Sequence, residues 1–227
     1  MLPNEKFVRS KIISILEGVC NIFDSSCKGI EGFPLSDYVF QSTLLKMSGY
    51  LEQKIKCICY DLGCVDYELR YEILDKWKNW GTFSSYDKIK QVYDLINKSI
   101  KNYDSSYNEN TGISKDSYQS VKDILEASGL RFYNEKGFLN FKNDAIFFNS
   151  KKISDNGLVN IYKSFYNLRN SIAHNTKSYQ QELPKLSELK DKDKRDNFYY
   201  FFTVLVIYDN YFVQLYDKYA KCISNAW

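Results

Sequence analysis

The chain contains little histidine and little proline. Its 227 residues include one histidine, at position 174, and three prolines, at positions 3, 34 and 184. Since proline interrupts helices, nothing between Pro34 and Pro184 forbids long helical segments. The single histidine lies in the polar stretch NLRNSIAHN, residues 167–175, which is therefore a candidate for catalytic residues.

The sequence also lacks the usual features of a metal site, a membrane span or a secretory signal. The closest cysteines, in CICYDLGC at 57–64, have no Cys-x-x-Cys spacing and no histidine partners, which disfavours a zinc site. The most apolar run, FYYFFTVLVIY at 198–208, is far shorter than the roughly 20 residues that cross a bilayer. Acidic residues interrupt the apolar residues at the N-terminus. We therefore predict a cytoplasmic protein without metal, cofactor or membrane segment.

The overall charge is nearly balanced. The chain has 31 basic and 28 acidic residues, a net charge of +3, and 44% hydrophobic residues, which is typical of a folded protein. Its length suits one domain, 1–227, that buries its own core. Because the net charge is small, any nucleic-acid site must be a local basic patch.

Apolar residues recur at helical spacing along most of the chain. The first predicted helices span about 5–24, about 37–62 with Ser36 or Asp37 as the cap, 65–79, and about 85–100. Later helices are predicted at about 117–128, 155–175 and 195–222. These segments predict an all-α protein, an antiparallel helical bundle.

The segment at about 102–150 interrupts this pattern. Its beginning, NYDSSYNENTGISKDS at 102–117, has the polar and glycine signals of a surface loop. Residues 130–148 contain turn residues and aromatics that fit either a small hairpin or an irregular loop. We therefore expect a polar insertion within the single domain.

The polar stretch falls on the helix predicted over 155–175. The apolar positions of this helix share one stripe, namely Leu158, Ile161, Phe165, Leu168 and Ile172. The polar positions of the opposite face are Asn167, Asn170, Ser171 and His174. Arg169 projects from the flank between the two faces, about 140° around the helix axis from His174.

This geometry predicts a dimer. Arg169 and His174 point too far apart on one helix to hold a single phosphate between them. Two copies of the helix, facing each other across a two-fold axis, bring both groups to one groove. Aromatic residues of the last helix either supply part of the contact between the copies or belong to the core.

The residue types on this helix favour RNA cleavage without a metal. Imidazole transfers protons near neutral pH, guanidinium stabilises the charge on a pentacoordinate phosphorus, and asparagine orients phosphate or ribose. No carboxylate lies between Asp155 and Glu182 to bind Mg²⁺. A route without metal uses the 2′-hydroxyl of RNA as nucleophile. The alternative, from residue types alone, is an ordinary solvated helix face.

The stretch RNSIAH, residues 169–174, resembles the Arg-x4-His signature of the HEPN superfamily (higher eukaryotes and prokaryotes nucleotide-binding). STLLKMSGYLEQKIKCI at 42–58 is similar to the second helix of HEPN domains of the RiboL-PSP type, where a Gly-x-x-Glu stretch is common. WGTFSSYDKIKQVYDL at 80–95 resembles the segment that follows that helix. The resemblance covers scattered blocks between about 40 and 180.

The resemblance implies a helical bundle that dimerises through the motif helices and cleaves RNA, leaving a 2′,3′-cyclic phosphate and a 5′-hydroxyl. By the same resemblance, Arg169 stabilises the phosphorane, His174 acts in proton transfer, and Asn170 positions the phosphate or orients His174. Glu52 matches a recurring acid of the second helix, with an ordinary surface charge as the alternative. Residues that line the groove in this reading are Asn167, Ser171 and Asn175.

Many HEPN proteins act as toxins or antiviral effectors, and the toxins often pair with an antitoxin or a sensor protein. The resemblance therefore implies an endoribonuclease with RNA as substrate, a second copy as partner, and an antitoxin or sensor as a further partner. The alternative is a catalytically silent HEPN-type dimer that serves as a scaffold or binds a partner.

Overall fold

A computed structural model of the chain describes residues 2–26, 33–77, 84–108, 112–129, 145–175 and 197–226. In these ranges the protein is all-α, as predicted, and contains no strand. The helices are α1 (Glu5–Val8), α2 (Ile13–Ser26), α3 (Phe33–Val65), α4 (Tyr67–Trp77), α5 (Tyr86–Tyr103), α6 (Ile113–Ala127), α7 (Ala145–Asn149), α8 (Asn156–Asn175) and α9 (Phe198–Ala226).

The last helix, α9, lies at the centre of the bundle. It packs against α3, α5, α6 and α8, and its aromatic residues from Phe198 to Tyr219 are almost all buried. Phe40 of α3 stacks on Phe198 with ring centroids 5.3 Å apart, and Tyr162 of α8 stacks on Tyr208 at 4.7 Å. The aromatic residues of the last helix therefore belong to the core of this chain.

The single helix predicted over 5–24 is wrong, because the chain turns between α1 and α2. The backbone N–H of Ile12 donates to Oδ2 of Asp209 over 3.0 Å, and the carbonyl of Ser10 accepts a hydrogen bond from Nζ of Lys54. These two buried side chains satisfy backbone groups that a continuous helix would satisfy itself. The apolar spacing continues through the turn, so periodicity alone gives no sign of it.

The beginning of α3 also differs from the prediction. The helix starts at Phe33 and not at the cap predicted at Ser36 or Asp37, and Pro34 lies in its first turn. Proline is tolerated there because the first N–H groups of a helix have no partner within the helix. The helices α4, α5, α8 and α9 follow the predicted segments.

The segment 102–150 is more helical than predicted. The helix α6 begins at Ile113, inside the predicted loop, and buries Tyr118 against Tyr199 of α9 with ring centroids 5.6 Å apart. The hairpin alternative fails over 145–148, which belong to α7, while residues 130–144 lie outside the described residues. Phe147 of α7 packs on Tyr118 at 5.4 Å, so α6 and α7 are both part of the bundle.

Candidate active site

The burial of α8 follows the predicted stripe. Leu158, Ile161 and Phe165 are buried, and the further apolar positions of the stripe are partly buried against the same core. Asn167 and Ser171 are exposed on the other side. One side of the helix is thus fixed by the core, and this fixes the direction in which its polar residues point.

Arg169 extends from the flank of α8 to Glu52 of α3. Its Nη2 lies 3.8 Å from Oε2 of Glu52, and the two side chains are 24% and 13% exposed. Glu52 also pairs with Lys56, one turn further along α3, at 3.0 Å. The structure therefore brings together two residues that the sequence singled out for separate reasons.

Asn170 holds the same guanidinium from a second direction. Nη1 of Arg169 donates a hydrogen bond to Oδ1 of Asn170 over 3.1 Å. A guanidinium carries five N–H donors, so one carboxylate and one amide leave it capacity for a phosphate. We call Glu52, Lys56, Arg169 and Asn170 the Arg169 cluster.

Tyr162 of α8 is fully buried, within reach of the charges of Arg169 and Glu52. Its hydroxyl donates to the backbone carbonyl of Ser84 over 2.9 Å. Burial raises the pKa of Tyr162 well above its ordinary value, although the nearby charge of Arg169 acts in the opposite direction. The phenol therefore stays protonated at neutral pH.

His174 lies in the last turn of α8, which continues through Asn175. The side chains of His174 and Asn175 lie outside the described residues. The helix backbone places His174 about 7.5 Å along the axis from Arg169 and about 140° around it.

No protein-family model matches the chain, and no curated protein or solved structure matches it either. The resemblance to HEPN proteins therefore stays a prediction, carried by the residues quoted above. Among the described residues, no three His, Cys, Asp or Glu side chains are grouped as a metal site would need. In the same part of the chain, no helix has the length and apolar character that a membrane crossing requires.

Sequence reasoning missed two members of this site. Lys56 follows Glu52 by four positions on one helix, and that spacing alone indicates a pair. Tyr162 precedes Arg169 by seven positions, or about two turns, but nothing in its residue type distinguishes it from the other tyrosines of the chain.

Proposed function

We propose that this protein is an endoribonuclease that cleaves RNA by attack of the substrate's own 2′-hydroxyl, without a metal ion. The observation that carries the proposal is the Arg169 cluster. A guanidinium held by Glu52 and Asn170 at the edge of two packed helices loses little freedom when it binds a phosphate. Such prior ordering favours stabilisation of a charged transition state.

In this proposal the reaction is an exchange of two P–O bonds. The 2′-oxygen attacks phosphorus while the bond from phosphorus to the 5′-oxygen breaks, giving a 2′,3′-cyclic phosphate and a 5′-hydroxyl. Arg169 stabilises the pentacoordinate phosphorus, Asn170 positions the phosphate, and His174 moves the proton that leaves the 2′-hydroxyl or reaches the 5′-oxygen. Glu52 acts through Arg169 and is a positioning residue.

The same proposal includes a second copy of the chain. Because Arg169 and His174 diverge around one helix, the active groove needs two motif helices across a two-fold axis, lined by Asn167, Ser171 and Asn175. We propose a cytoplasmic toxin or antiviral effector, with an antitoxin or sensor protein to restrain it. The alternative function is that of a dimeric scaffold that binds a partner without cleaving RNA.

Expression in a bacterial host tests the proposal in cells. The wild-type chain should arrest growth, and Arg169→Ala or His174→Ala should relieve the arrest without a change in helicity. Arg70→Ala is the matched control, because Arg70 is an exposed arginine of α4 outside the Arg169 cluster, and it should remain toxic. Equal toxicity of folded Arg169→Ala contradicts the proposal, and a harmless wild type that leaves RNA intact favours the scaffold.

A further inference from the structure

One exposed face of α3 runs beside the Arg169 cluster. Its positions recur every three or four residues, so they share one narrow stripe about 21 Å long. They are Lys46, Gly49, Gln53, Lys56 and Tyr60, of which Lys56 is half-buried and the others are exposed, and we call them the α3 strip. Lys56 belongs both to the strip and to the Arg169 cluster, where it pairs with Glu52. Along the helix axis Lys56 lies about 6 Å from Tyr60 and about 15 Å from Lys46, so the strip extends past the proposed reaction site in both directions.

Gly49 lies in the middle of the strip, inside a long helix. It is exposed, and no heavy atom of the described residues comes within 4 Å of the place that a Cβ would occupy. The described fold thus leaves room for alanine, which would also favour the helix. A glycine on an exposed helix face allows another molecule to come very close to the helix backbone.

The charges on this face fit a polyanion. Lys46 and Lys56 are its cations, and the carboxylate of Glu52 beside it already faces Lys56 and Arg169. The neighbouring helix α8 contains no Asp or Glu over 156–175. Tyr60, one turn beyond Lys56 and 60% exposed, offers a ring on which a base can stack.

We infer that the α3 strip is the path of a single RNA strand that passes the Arg169 cluster. The sugar–phosphate backbone passes over Gly49, its phosphates contact Lys46 and Lys56, and a base stacks on Tyr60. This inference rests on the proposed function, since it extends the substrate of that site. It names the part of the protein that binds RNA beyond the phosphate that is cut.

The test measures binding separately from cleavage. A labelled single-stranded oligonucleotide with 2′-O-methyl groups lacks the attacking hydroxyl, so fluorescence anisotropy with the full chain reports affinity alone. Gly49→Gln should weaken binding about tenfold or more, because the new side chain occupies the space of the strand. Gly18→Gln is the matched control, since Gly18 is an exposed glycine of α2 with equally open surroundings, and its affinity should equal the wild type.

Salt dependence gives an independent measure of the phosphate contacts. Lys46→Gln should lower the slope of log affinity against log salt by about 0.7, the value for one phosphate contact on a single strand. Lys101→Gln, an exposed lysine in the last turn of α5, should leave the slope unchanged. Circular dichroism should show both glycine variants folded, because glutamine is a better helix former than glycine.

The outcomes separate this inference from the proposed function. If Gly49→Gln keeps the wild-type affinity and Lys46→Gln keeps the wild-type salt slope, the inference about the strip is wrong. The proposed cleavage is unaffected by that result. If the wild type binds through the strip but does not cut RNA of the same sequence with free 2′-hydroxyls, the proposed nuclease function is wrong. The RNA-binding role of the strip is then still supported. If Gly49→Gln turns a dimer into a monomer in sedimentation without changing RNA affinity, the strip is a contact between copies and the inference is wrong.

Discussion

Glu52 of α3 and Arg169 of α8 form an ion pair with 3.8 Å between Oε2 and Nη2. The pair lies at the partly exposed edge where the two helices meet. Ion pairs that reach solvent contribute only about 0.2–1 kcal/mol to stability. Its main consequence is therefore the direction of the guanidinium, which is the proposed phosphate-binding group.

The first prediction concerns Glu52→Gln, which removes the charge and keeps the size of the side chain. We expect kcat for RNA cleavage to fall by about 10- to 100-fold because Arg169 loses its fixed direction, while the melting temperature stays close to the wild type. Glu72→Gln is the control, because Glu72 pairs with Lys98 at 3.2 Å away from the site. A wild-type kcat in Glu52→Gln would mean that Glu52 is an ordinary surface charge.

The second prediction concerns the buried pair of Lys54 and Asp209, which are 0% and 1% exposed. Burial lowers the pKa of Lys54 and raises that of Asp209, and each charge opposes the shift of the other. Lys54→Met leaves the Asp209 carboxylate buried without its cation, and we expect a loss of about 3–5 kcal/mol in the free energy of unfolding. Urea unfolding measures this loss.

A double variant tests the same pair from the other side. Lys54→Met with Asp209→Asn should recover most of the loss, because the amide oxygen still accepts the N–H of Ile12. Lys90→Met is the control, since Lys90 pairs with Asp94 on an exposed face of α5 and should cost less than about 1 kcal/mol. A loss for Lys54→Met as small as for Lys90→Met contradicts this account of the core.

The third prediction concerns the stability of the fold in acid. Hydrogen bonds from Lys218 and Ser106 hold the pKa of Asp104 at about 2, below its ordinary value of 3.8. Because the folded pKa is the lower one, Asp104 stabilises the fold above about pH 4 and this contribution is lost as the pH falls towards 2. We expect Asp104→Asn to melt below the wild type at neutral pH, with the difference shrinking between pH 4 and pH 2. A constant difference over that range contradicts the prediction.

The helices are predictable where apolar spacing alone determines them. They differ from the prediction where polar contacts between residues far apart in the sequence determine where a helix begins or ends. The stripe of α8 and the length of α9 follow from spacing. The turn before Ile13 depends on Lys54 and Asp209, which lie far away in the sequence. The early start of α6 likewise involves α9, because the buried hydroxyls of Ser114 and Tyr211 lie 3.4 Å apart. The stretch around the start of α6 has the polar signals of a loop, yet its second part forms a helix that packs on α9.

The candidate site, like the fold, is predictable from the sequence only in part. Its residue types and their placement on one helix can be predicted from RNSIAH, because helix geometry fixes their directions. The contact between Arg169 and Glu52 requires the packing of α8 on α3, which no local pattern specifies. Only the resemblance to a family singled out Glu52 before the structure did.

The fourth prediction concerns the two-fold site. Equal amounts of wild type and an Arg169→Ala/His174→Ala double variant, allowed to exchange subunits, leave about a quarter of dimers fully wild type. If every groove needs both motifs, activity falls towards about a quarter of that of the same total amount of wild-type protein. Retention of about half the activity, with exchange verified by native mass spectrometry, would show that each chain carries a complete site.

End-group analysis of cleaved RNA tests the central claim most directly. Purified protein and single-stranded RNA are incubated in excess EDTA, and the new ends are identified. We predict cleavage that persists in EDTA and leaves 2′,3′-cyclic phosphates and 5′-hydroxyls, which a kinase phosphorylates without prior dephosphorylation. Both Arg169→Ala and His174→Ala should cut at least about 100-fold more slowly. Cleavage that stops in EDTA and returns with Mg²⁺, or that leaves 5′-phosphates, would contradict the account.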